Sequence, residues 1–219
     1  YIDGVLLKNL VTAGSNNLQA NKQIVDALNV FPVPDGDTGT NMFLSIQSAV
    51  KEAQKVDSNN VGKVAEAIAF GALMGARGNS GVILSQLFRG FAKSVENKER
   101  LNALDLAYAW QEGVKTAYKA VMRPVEGTIL TVSREGAKAA FQAAKRGASI
   151  REVWEACLAA AELTLLKTPE MLPQLKQANV VDAGGKGYCF ILQGGLRFLE
   201  GKGEQISVHE EAVVSEDAD

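Results

Sequence analysis

Apolar residues recur at three- and four-residue steps along almost the whole chain, and no stretch of useful length alternates with period two, so the pattern predicts an all-α fold. Ile2, Val5, Leu6 and Leu10 start a first helix, and Ile24, Val25 and Leu28 read as a short continuation that stops at Asn29. Met42, Phe43, Ile46, Ala49, Val50 and Ala53 make a second. Val61, Val64, Ala65, Ile68 and Leu73 make a third, with Asn60 as its N-cap and Gly71 and Gly75 as its end. Val82, Ile83, Leu87, Phe88, Phe91 and Val95 form a fourth. Leu104, Ala107, Tyr108, Val114, Ala117, Tyr118 and Val121 form a fifth, terminated by Pro124. A sixth runs through Ile129, Val132, Gly136, Ala140, Phe141 and Ala144, and a seventh from near Ser149 through Ile150, Val153, Trp154, Cys157, Ala161 and Leu165 to a stop before Pro169. The last spans 184–199. Ala and Gly at many helix-facing positions let neighbours approach closely, which predicts an antiparallel eight-helix barrel or bundle with its chemistry in the connecting loops.

Composition narrows the function. The 219 residues (23.3 kDa, 47% hydrophobic) suffice for one packed core. The formal net charge of -2, from 23 Lys and Arg against 25 Asp and Glu, leaves no broad cationic field for a nucleic-acid backbone. No apolar run approaches the roughly 20 residues of a membrane span. The opening Tyr1-Ile2-Asp3-Gly4 lacks the basic start and apolar centre of a signal peptide. Cys157 and Cys189, each inside an apolar run, are too few for a disulfide framework and point to a reducing, cytoplasmic setting. Residues 1–203 read as one domain, and 204–219, with Glu210, Glu211, Glu216, Asp217 and Asp219, as an acidic linker towards further domains.

Chemistry concentrates in the loops. Asn29-Val30-Phe31-Pro32-Val33-Pro34-Asp35-Gly36-Asp37-Thr38-Gly39-Thr40-Asn41-Met42 places two carboxylates, Asp35 and Asp37, just before a helix, and hard oxygens at that spacing suit Mg²⁺ or Ca²⁺. An EF-hand is excluded, since counting from Asp35 the sixth position is Thr40 rather than Gly and the twelfth is Ile46 rather than Glu. The bland alternative is a turn in which Asp37 or Thr38 caps the helix and Asp35 completes an Asx turn. Against it, two adjacent carboxylates repel unless a cation or proton lies between them.

A second loop, Gly75-Ala76-Arg77-Gly78-Asn79-Ser80-Gly81, opens onto the fourth helix. Its free N–H groups and the helix dipole make it an anion site, with Arg77 adding charge, although it is neither a P-loop nor a dinucleotide fingerprint. It also reads as an ordinary turn capped by Asn79 or Ser80. A third loop, Arg123-Pro124-Val125-Glu126-Gly127-Thr128, and a fourth, Val180-Val181-Asp182-Ala183-Gly184-Gly185, likewise precede helices. These loops follow the first, third, fifth and seventh helices, so in an up-down bundle all four return to one end. Carboxylates, an anion loop and two Gly-rich loops at one mouth describe a Mg²⁺-nucleotide pocket. A Ser-His-Asp hydrolase is excluded, because the sole histidine, His209, lies in the acidic tail.

The segment Asn29 to Met42, with Gly75-Ala76-Arg77-Gly78-Asn79-Ser80-Gly81-Val82-Ile83-Leu84-Ser85-Gln86 and Val181-Asp182-Ala183-Gly184-Gly185, closely resembles the N-terminal nucleotide-binding domain of the kinase component of bacterial fatty acid kinase, itself similar to the L subunit of dihydroxyacetone kinase. The resemblance covers about residues 3–201. It implies an eight-helix barrel binding ATP or ADP with two Mg²⁺ ions. It also implies a reaction, transfer of the γ-phosphate to a fatty acid carboxylate presented by a DegV-type binding protein, giving an acyl phosphate for phospholipid synthesis.

Carried over by residue, the resemblance makes Asp35 and Asp37 metal ligands, with Asn29 near the place of a third. Thr38, Gly39, Thr40 and Asn41 match the phosphate-facing turn, and Gly78, Asn79, Ser80 and Gly81 the second phosphate loop. Thr128 and Ile129 match the segment beside the adenine, and Asp182, Ala183 and Gly184 the closing loop. Ala183 departs from the Asp-Pro-Gly of the dihydroxyacetone kinase relatives, and an Arg they place before that loop has no counterpart here. Arg77 and Arg123 are the charged candidates for stabilising the transferred phosphoryl group. The fragment is expected to bind Mg²⁺-nucleotide without completing acyl phosphorylation alone, and a homodimer is left open. Two rivals stand: a dihydroxyacetone-kinase-type enzyme acting on a small ketose, and a non-enzymatic bundle in which the Asp-Gly-Asp loop holds a structural ion.

Overall fold

A computed structural model describes residues 1–202, and those residues form nine α-helices without a β-strand. They are α1 (Gly4–Leu28), α2 (Thr38–Gln54), α3 (Val61–Met74), α4 (Gly78–Val95), α5 (Ala103–Ala120), α6 (Ile129–Lys145), α7 (Ile150–Met171), α8 (Pro173–Ala178) and α9 (Ala183–Arg197), with a π-helical turn at Phe198–Lys202. The all-α expectation holds, with eight long helices and one short one. The acidic segment 204–219 and His209 lie outside the described residues.

Local chemistry starts the helices. Asp3 caps α1 through Leu6 N–H at 2.9 Å, and Asn60 caps α3 through Lys63 N–H at 3.1 Å. Reciprocal capping boxes, Asn102 with Asp105 and Ser149 with Glu152, open α5 and α7. Consecutive long helices pack side by side, and α9 closes on α1. Inside the ring lie Leu18, Met42, Ile46, Leu84, Leu106 and Ile129, all buried. The Trp154 indole N–H donates to Leu192 O at 2.8 Å and ties α7 to α9. At the end where α1 begins, Ile2 and Leu101 exchange backbone hydrogen bonds of 2.8 Å.

Four boundaries differ from the sequence expectation, each for a physical reason. The first helix and its continuation are one unbroken α1, because the polar stretch between them faces α9: Asn17 Nδ2 donates to Phe190 O at 2.6 Å and Arg197 Nη1 to Asn17 Oδ1 at 3.1 Å. Gly71 does not end α3 but lies buried inside it, against α2, and Gly75 is the C-cap. Helix α4 begins at Gly78, so the glycine-rich loop is largely its first turn, with Arg77 as N-cap in place of Asn79 or Ser80. Helix α7 continues through Pro169 to Met171. The carbonyl of Leu165, which loses its partner when Pro169 lacks an N–H, is taken by Thr168 Oγ1 at 2.7 Å. The extra helix α8 starts with Pro173 at its first position and stops at Asn179, whose φ of 56° is left-handed.

Candidate functional site

Helices α1, α3, α5 and α7 run towards the end at which α2, α4, α6 and α9 begin, so the four chemistry-bearing loops share that end. The loop 29–37 and the first turn of α4 form the two walls of a cleft of about 400 Å³. Asn29, Asp35, Asp37 and Thr38 line one side, with Asn41, and Gly78, Asn79, Ser80 and Val82 line the other. Ser45 joins the walls: its buried hydroxyl accepts Arg77 N–H at 3.1 Å and donates to Asn41 O at 2.8 Å.

Asp35 is exposed and Asp37 half-buried. Asp37 stands at the N-cap of α2, yet among the described residues its side chain takes no cap hydrogen bond. The N–H group an N-cap carboxylate would ordinarily take belongs to Thr40, and Asp26 of α1 has it: Thr40 N–H and Oγ1 donate to the two Asp26 carboxylate oxygens at 3.0 and 2.7 Å. Gly39 permits this, since a β-carbon there would stand 2.3 Å from Lys22 O. Asp37 is thus the N-cap of α2 by position only, and its carboxylate does not cap the helix. Asn29 is buried and braces the loop, its Oδ1 accepting Asp37 N–H at 3.1 Å and its Nδ2 donating to Val33 O at 3.0 Å.

The other two loops meet the α4 turn. A β-carbon at Gly184 would lie 2.8 Å from Ser80 Oγ and 3.4 Å from Ile129 Cβ. Asp182, 5% exposed, accepts Gly185 N–H at 2.8 Å as the α9 N-cap and feels the Ile129 backbone amide at the start of α6. Burial pushes its carboxyl up to about 6, against the pull of those two amides. Thr128, the α6 N-cap, donates to Val125 O at 2.8 Å and accepts Leu130 N–H at 3.3 Å. Three N-terminal helix turns, those of α4, α6 and α9, thus converge beside the carboxylate loop, a favourable field for an anion.

Residues 32–197 match the DAK2 domain family. The chain belongs to the DAK2 domain family. Protein YloV of Bacillus subtilis (strain 168) is 53% identical over 201 residues, covering 92% of this chain and 36% of that protein. Protein SH1689 of Staphylococcus haemolyticus is 51% identical over the same shares, and SSP1546 of Staphylococcus saprophyticus 48% identical over 100% of this chain and 40% of its own length. The DAK2 chain thus spans between 36% and 40% of these relatives. The crystal structure of the dihydroxyacetone kinase of C. freundii superposes with a TM-score of 0.64 at 16% identity, over 88% of this chain and 34% of that one, and shows a shared helical fold.

The donor set of this DAK2 domain at the cleft is hard oxygen. Among the described residues, no group of three or more His, Cys, Asp or Glu side chains comes together for a metal. Asp35 and Asp37 offer two carboxylates, too few for an all-protein Ca²⁺ cage but appropriate to Mg²⁺, which keeps waters and phosphate oxygens in its shell. Arg77 and Arg123 are both exposed, one at the start of α4 and one in the α5–α6 loop.

Sequence reasoning missed four residues of this DAK2 end. Asp26, Ser45 and Thr168 act through hydroxyl and carboxylate bonds across helices. Glu126 anchors the α5–α6 loop by accepting from Thr131, Arg134 and, at 3.2 Å, the Tyr118 hydroxyl. The one sequence signal for any of them is Thr168 directly before Pro169, the place where a hydroxyl can satisfy a carbonyl freed by proline. Cys157 and Cys189 are free and buried, as their apolar surroundings implied, and burial raises both thiols, Cys189 to about 12. A separate apolar cavity of about 90 Å³ lies inside the bundle among Leu84, Leu87, Trp110, Trp154, Tyr188 and Leu192. It presents almost no polar surface to a phosphate.

Proposed function

We propose that this DAK2 domain is the Mg²⁺-nucleotide-binding part of a fatty acid kinase, which passes the γ-phosphate of ATP to the carboxylate of a fatty acid held by a DegV-type protein. The observation that carries the reading is the pair Asp35 and Asp37, whose carboxylates make no hydrogen bond or ion pair among the described residues, on one wall of a cleft whose other wall is a helix N-terminus. Family membership and the fold shared with a dihydroxyacetone kinase support a phosphotransferase. The loop 29–34 and the Asp182-Ala183-Gly184-Gly185 sequence favour the fatty acid branch over a small ketose.

In this reading a pair of Mg²⁺ ions, when bound, neutralises phosphate charge and polarises the transferred group. Asp35 and Asp37 hold the cations, and Asn29 fixes the backbone that carries Asp37. N–H groups of Gly78, Asn79 and Ser80 on the first turn of α4 receive phosphate oxygens, and Gly81 lets that turn lie close against Ser45. Thr38 and Asn41 form the facing side of the cleft, while Gly39 and Thr40 of the same turn are held against α1; Thr128 and Ile129 flank the adenine, and Asp182, Ala183 and Gly184 close the mouth. Arg77 and Arg123 stand where a guanidinium can approach the phosphoryl group. Because the chain spans little more than a third of its relatives, the acyl acceptor and its docking are assigned to the longer protein and its partner.

Calorimetry of ATP with and without Mg²⁺ tests the nucleotide half, on this chain and on the double substitution Asp35→Ala with Asp37→Ala. Mg²⁺-dependent binding abolished in the double variant is expected. Equal binding by both proteins would reduce the Asp-Gly-Asp loop to a turn. The acceptor half is read from acyl phosphate formed by the longer protein with a fatty-acid-loaded DegV-type carrier, against the same protein offered dihydroxyacetone. Product from the ketose alone would overturn the fatty acid assignment.

A further inference from the structure

On the Mg²⁺-nucleotide reading of the cleft, we propose that Asp26 is a positioning residue: it caps α2 in place of Asp37 and so leaves the Asp37 carboxylate available to the cation. An aspartate at an N-cap ordinarily turns its carboxylate back onto the N–H groups of the first turn. Asp37 occupies that position with φ -126° and ψ 7°, not the extended backbone of the six N-caps whose side chains do cap, and makes no such bond among the described residues. The third residue of the helix, Thr40, gives both its N–H and its hydroxyl to Asp26, which reaches in from the last turn of α1.

Two carboxylates thus compete for one amide, and the occupant decides what the other can do. With Asp26 in place, α2 keeps an acceptor and a negative charge at its positive end. Asp37 retains its backbone role, its carbonyl accepting Asn41 N–H at 2.8 Å, while its side chain is not drawn onto the helix. Its own N–H is held by Asn29 at 3.1 Å, which fixes the backbone from the other side. Without Asp26, the Asp37 carboxylate is the nearest replacement cap, and swinging its ψ from 7° into the extended range to reach Thr40 N–H directs it to the helix rather than to a cation. Fold and metal site then respond oppositely: capping is rescued at the expense of coordination.

The test is ATP affinity by calorimetry, measured in Mg²⁺ and in EDTA, for the unaltered chain, D26A, D26N, D37A and D26A/D37A, with melting temperatures in EDTA. The ratio of the two affinities is the Mg²⁺-dependent gain. D26A is expected to lower that gain about tenfold or more, as removal of an outer-shell partner typically does, with the EDTA affinity unchanged. D26N, which keeps an acceptor for Thr40 N–H, is expected to retain most of the gain. In EDTA, D26A and D37A each melt near the unaltered chain and D26A/D37A well below both, because either aspartate can cap and the double variant has neither. An unchanged gain in D26A overturns the Asp26 assignment alone. So does an equal loss of affinity in Mg²⁺ and EDTA, or loss of the helical circular dichroism signal in D26A, since Asp37 takes over the cap once its backbone turns to the extended form. Absence of any Mg²⁺-dependent gain in the unaltered chain overturns both this assignment and the nucleotide reading beneath it.

Discussion

Thr168 and Asp182 share a buried hydrogen bond at the point where the chain returns from α7 to the mouth of the bundle: Asp182 N–H donates to Thr168 Oγ1 at 3.0 Å, and the same hydroxyl donates to Leu165 O at 2.7 Å. One hydroxyl thereby repairs the helix around Pro169 and fixes the residue that caps α9. Thr168→Val keeps the shape but leaves a carbonyl and an amide unpaired in a site with no exposed surface. A buried polar group left without a partner costs about 1–3 kcal/mol, so the pair predicts a loss of about 3 kcal/mol in urea unfolding. Thr168→Ser retains the hydroxyl and is expected to recover most of it. A loss below about 1 kcal/mol for the valine variant would show that the Pro169 region relaxes without the bond.

Asp182 makes the stability of this end depend on pH in the direction opposite to the exposed acids. Its carboxyl is raised from 3.8 to about 6, so between those values the folded chain holds a proton that the unfolded chain has released. Folding stability from this group therefore increases as pH falls from 7 through 6 and levels off below about 4. Asp3, Glu126 and Glu152 are lowered by their hydrogen bonds and lose their contribution as pH falls, which masks the effect in the unaltered protein. The difference between it and Asp182→Asn isolates the Asp182 contribution. The variant's stability relative to the parent should drop by roughly 2 kcal/mol between pH 7 and 4.5, about 1.4 kcal/mol per pH unit for each proton by which the folded and unfolded chains differ. A pH-independent difference in urea midpoint would contradict the buried titration.

The helices were legible because their information is local: Ala103–Ala120 and Ile150–Met171 carry apolar periodicity and capping boxes that need no distant partner. The common end of the four loops was legible too, because it follows from helix count and alternation. The fate of particular polar groups was not. Nothing near Asp37 in sequence says that Asp26 takes its amide, since that depends on α1 and α2 crossing closely enough at Gly39. Pro169 read as a stop because the compensating Thr168 bond outweighs the lost helix bond only within a packed interior. The polar middle of α1 read as a break because its partner, Phe190 O, is far away in the chain.

Gly78 separates the cost of a backbone conformation from the cost of losing the site. Its φ of 68° lies in the left-handed region, and a β-carbon there would come within 2.8 Å of Asn41 Nδ2, on the facing wall of the cleft. Gly147, in the α6–α7 turn, has φ 86° and nothing within 4 Å of such a β-carbon. Both alanine variants incur the left-handed penalty of about 1–2 kcal/mol, so urea unfolding should place Gly78→Ala and Gly147→Ala within about 1 kcal/mol of each other. They should part in ligand binding. Gly78→Ala pushes the Asn41 amide aside and is expected to weaken Mg²⁺-ATP by about tenfold, equivalent to about 1.4 kcal/mol, whereas Gly147→Ala should bind as the parent does. Equal weakening in both variants would mean that affinity follows global stability rather than the meeting of Gly78 with Asn41.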